Sequence, residues 1–438
     1  MRGLLMPSPA PNQLALLKTN RFLPLFITQF FGAFMDNLYK NALVVLILYG
    51  MSGKLDADPK LLTTLAAAVF IFPFLIFSAI AGKLADMTPK DRIMRLVKIF
   101  EIGIAGLGTI SLFLESIPLS FLTLFALGTH SAFFAPCKYS ILPQHLHQSE
   151  LIGGNAVINT GTFLAILFGT ISGTMLMTLP HGAAYVSLAM FAVSIIGYIS
   201  SVKIPLAPPP QPYKKFPLNP FKENWELLHF AYAYDKKITM AILGKAWFFF
   251  IGSLFLAQFA NYTHDTIHGS EAVLTFFLFL FSVGIGVGGL LNNRILKGKI
   301  STHLVPLAGF AISAFSIDLY FASDALKQPE TFLTFAEFLS LPQSWRIIAD
   351  LFLVSASGGL FLIPLSAYIQ DNAPESDRAR IIAASSVSDS IFIILSALLS
   401  AALIGYGMAV PTLFLTFGLL NIAATLIFFR SFQGKPPK

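Results

Sequence analysis

Polar side chains interrupt one long apolar run. In FITQFFGAFMDNLYKNALVVLI, residues 26–47, the interruptions include Gln29, Asp36, Asn37 and Lys40. At about 100° per residue, positions 29, 36 and 40 fall within roughly 40° of one another, so a helix lines them up as one stripe. Ionisable groups at bilayer depth are costly unless paired or facing water. Asp36 and Lys40, four apart, either neutralise each other or face a cavity that receives a charged head group. Other apolar runs hold similar interruptions. Lys138 follows Ala135-Pro136-Cys137 and either snorkels to water or pairs with Asp36 or an anionic substrate. Asn155 and Asn159 suit interhelical hydrogen bonds or substrate contact. Gln258 and Asn261 lie further along, and Asp389 has no base at i±3 or i±4 to neutralise it. Three other charged sites are expected to be structural: Lys98 with Glu101, Arg346 with Asp350, and a snorkelling Lys245.

Positioning such groups takes membrane-spanning helices. The chain has 438 residues, 55% hydrophobic and only 12% charged, with 44 Phe. A soluble domain carries about 25% charged residues, so much of this surface must face hydrocarbon. A span needs about 20 apolar residues. That ruler places helices near 22–50, 61–82, 93–115, 118–140, 152–178 and 182–202, then near 238–263, 271–296, 302–322, 345–370, 378–404 and 409–430. The expected organisation is an N-terminal segment 1–21, a six-helix bundle 22–202, a central loop 203–237, a second bundle 238–430 and a tail 431–438. The central loop is rich in Pro and Lys, and residues 221–234 within it read as an amphipathic helix on the membrane surface. No cleavable signal peptide is expected.

The formal charge of +7 sits in short loops between apolar runs, which suits lipid head groups and topology setting and argues against nucleic acid. About 21 of the 29 Lys and Arg fall on the side of the termini and central loop, making that side cytoplasmic by the positive-inside rule. The single cysteine, Cys137, excludes an intramolecular disulfide. No metal, cofactor or catalytic residue is expected: no His has an acyltransferase HxxxxD spacing and no phosphate-cradling GxxxxGK[ST] loop is present.

The halves echo each other. Gly82-Lys-Leu-Ala-Asp86 precedes Lys90, Asp91 and Arg92; Gly289-Leu-Leu-Asn-Asn293-Arg294 precedes Lys297 and Lys299. Both sets follow the second helix of a half. Gly permits close helix approach, and the polar residues Asp86, Arg92, Asn293 and Arg294 can latch or release the seam between halves. This layout resembles the major facilitator superfamily, implying an all-α fold of 12 transmembrane helices in two pseudo-symmetric bundles.

Residues 22–43, 82–94, 133–144, 153–173 and 358–392 further resemble the lysophospholipid transporter family, most specifically through Asp36-Asn37, Ala135-Pro136-Cys137-Lys138-Tyr139 and the block 375–389. The form most resembled is fused ahead of an acyltransferase and an acyl-carrier-protein synthetase, and those domains are expected to be absent from this chain. The resemblance implies a non-enzymatic carrier in the bacterial inner membrane, with lysophospholipid and membrane lipids as partners and re-acylation of the product by an acyltransferase/acyl-carrier-protein synthetase; a monomer is expected. It points to Asp36 and Lys138 as pathway charges. The chain departs from the family pattern at Met35, Leu256, Ser385, Ser386 and Asp389, which leaves the head-group preference open. Phe248–Phe250 and Phe276–Phe281 suit a greasy lining or plain core packing. A proton-coupled exporter and a scaffold for an acyltransferase are the alternatives.

Overall fold

The computed structural model describes residues 13–47, 59–214, 219–326 and 332–432. Residues 1–12 of the predicted N-terminal segment, the end of the first predicted helix and the predicted tail beyond residue 432 lie outside them. The described residues form helices α1 (Leu23–Val45), α2 (Pro59–Met87), α3 (Lys90–Phe113), α4 (Ile117–Ser140), the single-turn α5 (Leu142–His145), α6 (Leu151–Thr178), α7 (Gly182–Val202), α8 (Pro220–Tyr234), α9 (Lys236–Asn261), α10 (Glu271–Leu296), α11 (Leu304–Asp324), the short α12 (Phe335–Ser340), α13 (Pro342–Asn372), α14 (Arg378–Gly405) and α15 (Val410–Phe432). Eleven of these are long and apolar enough to cross a membrane. The remaining membrane-length helix is α1, whose 23 residues carry the polar stripe. Its low hydropathy follows from the groups it brings into the bilayer.

Helix ends follow local chemistry. Pro occupies the first turn of α1, α4, α8 and α13, where its missing N–H costs nothing and its fixed φ suits the helix. Asp235 separates α8 from α9 and caps the latter: its Oδ1 accepts from the N–H groups of Lys237 at 2.8 Å and Ile238 at 2.9 Å.

The two halves repeat one packing scheme. In the first, α1 packs on α6, α2 and α3 pack on α4, and α3 packs on α7; in the second, α9 packs on α14, α10 and α11 pack on α13, and α11 packs on α15. The contacts between halves obey the same two-fold relation, α2 meeting α14 and α10 meeting α6. The fold is therefore the two-bundle architecture the sequence implies. The N-termini of α1, α3, α6, α9, α11 and α14 share one face with the linker residues 203–214 and 219–235, called here the linker face.

The phenylalanine-rich stretches pack mostly into the core of the second half, Phe248, Phe250, Phe277 and Phe281 being buried while Phe279 faces outward at 45% exposure. Phe255 stacks on Phe414 with ring centroids 4.5 Å apart, Trp247 on Phe250 at 5.0 Å, and Phe277 is fully buried. Cys137 is fully buried as well.

Candidate functional site

Both halves contribute charge to the interface between them. From the first half, the Asp36 carboxylate on α1 accepts a hydrogen bond from Ser131 Oγ on α4 at 2.6 Å. Asp36 and Lys40 form no ion pair; Lys40 Nζ lies 5.9 Å from the Phe70 ring centroid. Ser131 takes the place of the i+4 partner that the spacing allowed, and Oδ1 of Asp36 is buried with no hydrogen-bond partner.

The second half contributes Lys245 and Asp389. Lys245 does not snorkel: it is 7% exposed, its Nζ donates to Asp389 Oδ2 at 2.6 Å and lies 3.1 Å from Ser385 Oγ. Position 245 is nine residues beyond the start of α9, about 14 Å into the helix, too deep for the ammonium to reach water. Asp389 thus finds its base on a neighbouring helix. Tyr139 brings the halves together here. Its ring centroid lies 4.6 Å from Lys138 Nζ and 5.9 Å from Lys245 Nζ, and its hydroxyl donates to Asn159 Oδ1 at 3.3 Å. Two ammonium groups, one from each half, lie beside one aromatic ring, and the Asp389 carboxylate pairs with the second of them, forming a layer of mixed charge.

The other candidates lie elsewhere. Asn155 exchanges two hydrogen bonds with Gln370 on α13, at 2.7 and 2.9 Å, and closes the interface on the linker side. Gln29 accepts from Thr162 Oγ1 at 2.8 Å and ties α1 to α6 inside the first half. Asn37 donates to its own helix at Ala33 O, 2.8 Å away. Gln258 accepts from Asn261 at 2.9 Å, roughly 20 Å along α9 from Lys245, so it stands outside the charged layer.

The latch residues divide in the same way. The Asp86 carboxylate reaches across the α2–α14 seam and accepts from the backbone N–H groups of Ala379 and Arg380, each at 3.0 Å. It caps a helix of the other half, where the dipole favours an anion. Gly82 makes this possible: a Cβ there would stand 3.1 Å from Ala379 O and 3.2 Å from Arg380 Cα. Arg92 is exposed and takes no part in that cap. Its neighbour Asp91 instead accepts from the N–H of Ala207 at 3.0 Å. On the two-fold-related seam, Asn293 is buried against Gly153, and Gly289 sits 3.4 Å, measured from an ideal Cβ, from Ile363. Arg294 is exposed. Both seams are closed on the linker face.

Lys98 and Glu101 form their local pair at 2.6 Å with both side chains buried, and His130 Nε2 lies 3.7 Å from Glu101. Arg346 pairs with Asp318 on α11, not with Asp350. A bidentate fork meets a carboxylate on the adjoining helix better than one a turn along its own. Ser131, Tyr139, Lys245 and Ser385 are the site residues that sequence reasoning left out. Tyr139 and Ser385 stood inside motif blocks already singled out, next to chosen charges.

Two six-helix halves that meet on a charged, membrane-buried layer, with glycine-lined seams at one face, define a multi-pass membrane transporter. A profile of the Major Facilitator Superfamily matches residues 25–336, and the chain belongs to that superfamily. It is similar to the lysophospholipid transporter LplT of Photorhabdus laumondii, 24% identical over 92% of this chain and 94% of that one. It is likewise similar to LplT of Escherichia fergusonii, 24% identical over 80% of each chain. Among solved structures it is similar in fold to the human organic anion transporter MFSD10, with a TM-score of 0.73 and 13% identity over 95% of this chain and 100% of that one. The Escherichia coli fucose:proton symporter gives a TM-score of 0.65 and 14% identity, covering 95% of this chain and 100% of that one.

Proposed function

We propose that this chain carries lysophospholipids across the bacterial inner membrane toward the cytoplasmic leaflet. In this reading the bundles 22–202 and 238–430 rock about the charged layer, and both termini and the linker face are cytoplasmic. The observation that carries the reading is that layer, formed by Lys138 and the Lys245–Asp389 pair around Tyr139, with Asp36 held by Ser131 on the same helix α4 as Lys138. A zwitterionic head group presents a phosphate to ammonium groups and an amine to carboxylates, and the layer offers both signs within one interface. The near full-length similarity to LplT supports the same substrate class.

A lysolipid already resides in the membrane, so the carrier need only lower the barrier to head-group passage. Re-acylation by an acyltransferase on the inner side would draw the flow inward without ion coupling. The carrier acts as a monomer in this scheme, each chain holding a complete pathway.

The test is uptake of labelled lysophosphatidylethanolamine by spheroplasts lacking their own transporter. The parent chain should take it up, and Asp36→Asn at equal expression should fall sharply. A well-expressed parent chain that does no better than empty vector overturns the assignment. Collapse of parent uptake when the proton gradient is dissipated would mean that a proton is coupled to transport.

A further inference from the structure

The linker helix α8 does more than lie on the bundle. Its side chains enter the flank of α2: Asn224 Oδ1 accepts from the N–H of Ala79 at 3.3 Å, and Nδ2 donates to Leu75 O at 2.8 Å and Ile76 O at 2.9 Å. Glu223, 1% exposed, pairs with Lys83 on the same helix as those three. Further along α8, the Tyr232 hydroxyl and Ser388 Oγ on α14 are 2.8 Å apart, and Phe230 lies under the Arg380 guanidinium at 4.3 Å. The helix therefore bridges α2 and α14 along the outside of their seam. Ala79 is eight residues from the end of α2, so the contact lies about 12 Å into the bundle flank. The outward face there is aromatic: Phe221 is 79% and Trp225 75% exposed. Such a face suits the head-group boundary of a bilayer.

Connectivity decides which grip must break. The C-terminal end of α8 is joined to α9 through the Asp235 cap and so belongs to the second half. Its first two turns hold α2, in the first half. When the halves part on the linker face, one helix cannot stay bound to both. A smaller device mirrors this on the other seam: Gln13 precedes α1 of the first half, and its Nε2 donates to Leu290 O on α10 at 3.0 Å.

We propose, on the basis of the lysophospholipid reading, that α8 is a lid over a lateral portal between α2 and α14. Asn224 and Glu223 hold it shut, and its release lets the acyl chain pass sideways into the cytoplasmic leaflet. The inserted Asn224 amide makes the grip specific, since its three hydrogen bonds to α2 form only when α8 is seated in that register.

Two measurements on purified protein in liposomes test this, both in a Cys137→Ser background. In the first, Ala79→Cys, fully buried under α8, reports lid opening by its rate of reaction with N-ethylmaleimide. Asn224→Leu should raise that rate roughly tenfold, the consequence of losing one or two net hydrogen bonds; an unchanged rate overturns the lid. In the second, Lys83→Cys and Glu223→Cys are joined by a reducible bis-methanethiosulfonate linker, which needs no destabilising substitution at 224. The tether should suppress lysophosphatidylethanolamine transport at least tenfold, and reductant should restore it. Equal transport by tethered and reduced protein overturns the lid while leaving the substrate assignment standing. If neither untethered nor parent protein moves the lipid faster than protein-free vesicles do, the substrate assignment fails, and the Ala79→Cys labelling still decides whether α8 opens.

Discussion

Removing the Asp86 carboxylate should open the α2–α14 seam by an amount that its geometry sets. Each carboxylate oxygen accepts one backbone N–H at the start of α14, both at 3.0 Å. Loss of a capping side chain costs about 1 kcal/mol, and loss of an anion from a helix N-terminus adds about 0.3–1 kcal/mol. Two bonds plus the charge give about 2 kcal/mol for Asp86→Ala, or roughly a 30-fold shift toward the open seam. Asp86→Asn keeps one acceptor without the charge and should cost about 1 kcal/mol, roughly fivefold. The assay is the labelling rate of Ile382→Cys by a water-soluble maleimide, in a Cys137→Ser background. Ile382 is 4% exposed and lines a small cavity beneath the seam with Tyr139, Lys245 and Ser385. The rate should be lowest with Asp86 in place, higher in Asp86→Asn and highest in Asp86→Ala. Equal rates for all three would refute the claim that this cap holds the halves together.

The remaining predictions concern pairs. Lys245→Met should lower thermal stability in detergent by about 3–5 kcal/mol because Asp389 is left buried and unpaired, while Lys245→Met with Asp389→Leu should recover most of it; a double variant as unstable as the single would show that the pair is not isolated. A double-mutant cycle of Asn155→Leu and Gln370→Leu should give a coupling of about 1–2 kcal/mol in the labelling equilibrium above, and strictly additive effects would mean that the paired amides do not join the halves. Ser131→Ala should reduce uptake less than Asp36→Asn does, as it removes a neutral donor and keeps the charge. Equal losses would make Ser131 a direct ligand of the substrate.

The sequence by itself determined the spans and their grouping, because length, hydropathy and proline position are local properties of the chain. It also marked which polar residues needed an explanation, since an ionisable group in an apolar run is conspicuous whatever it touches. α8 was legible too, as the amphipathic stretch 221–234. Partners were decided by the tertiary structure. Lys245 and Asp389 stand 144 positions apart, and Asp36 meets Ser131 across 95. Asp86 binds backbone N–H groups, which no side-chain pattern reveals. Spacing favoured Asp36–Lys40 and Arg346–Asp350, both i,i+4, yet each of these residues is aimed by the rotation of its helix against neighbours, and a partner there wins. The same cause moved Gln258 out of the site: helical phase says which face a residue shares, and only packing says at what depth that face meets another charge.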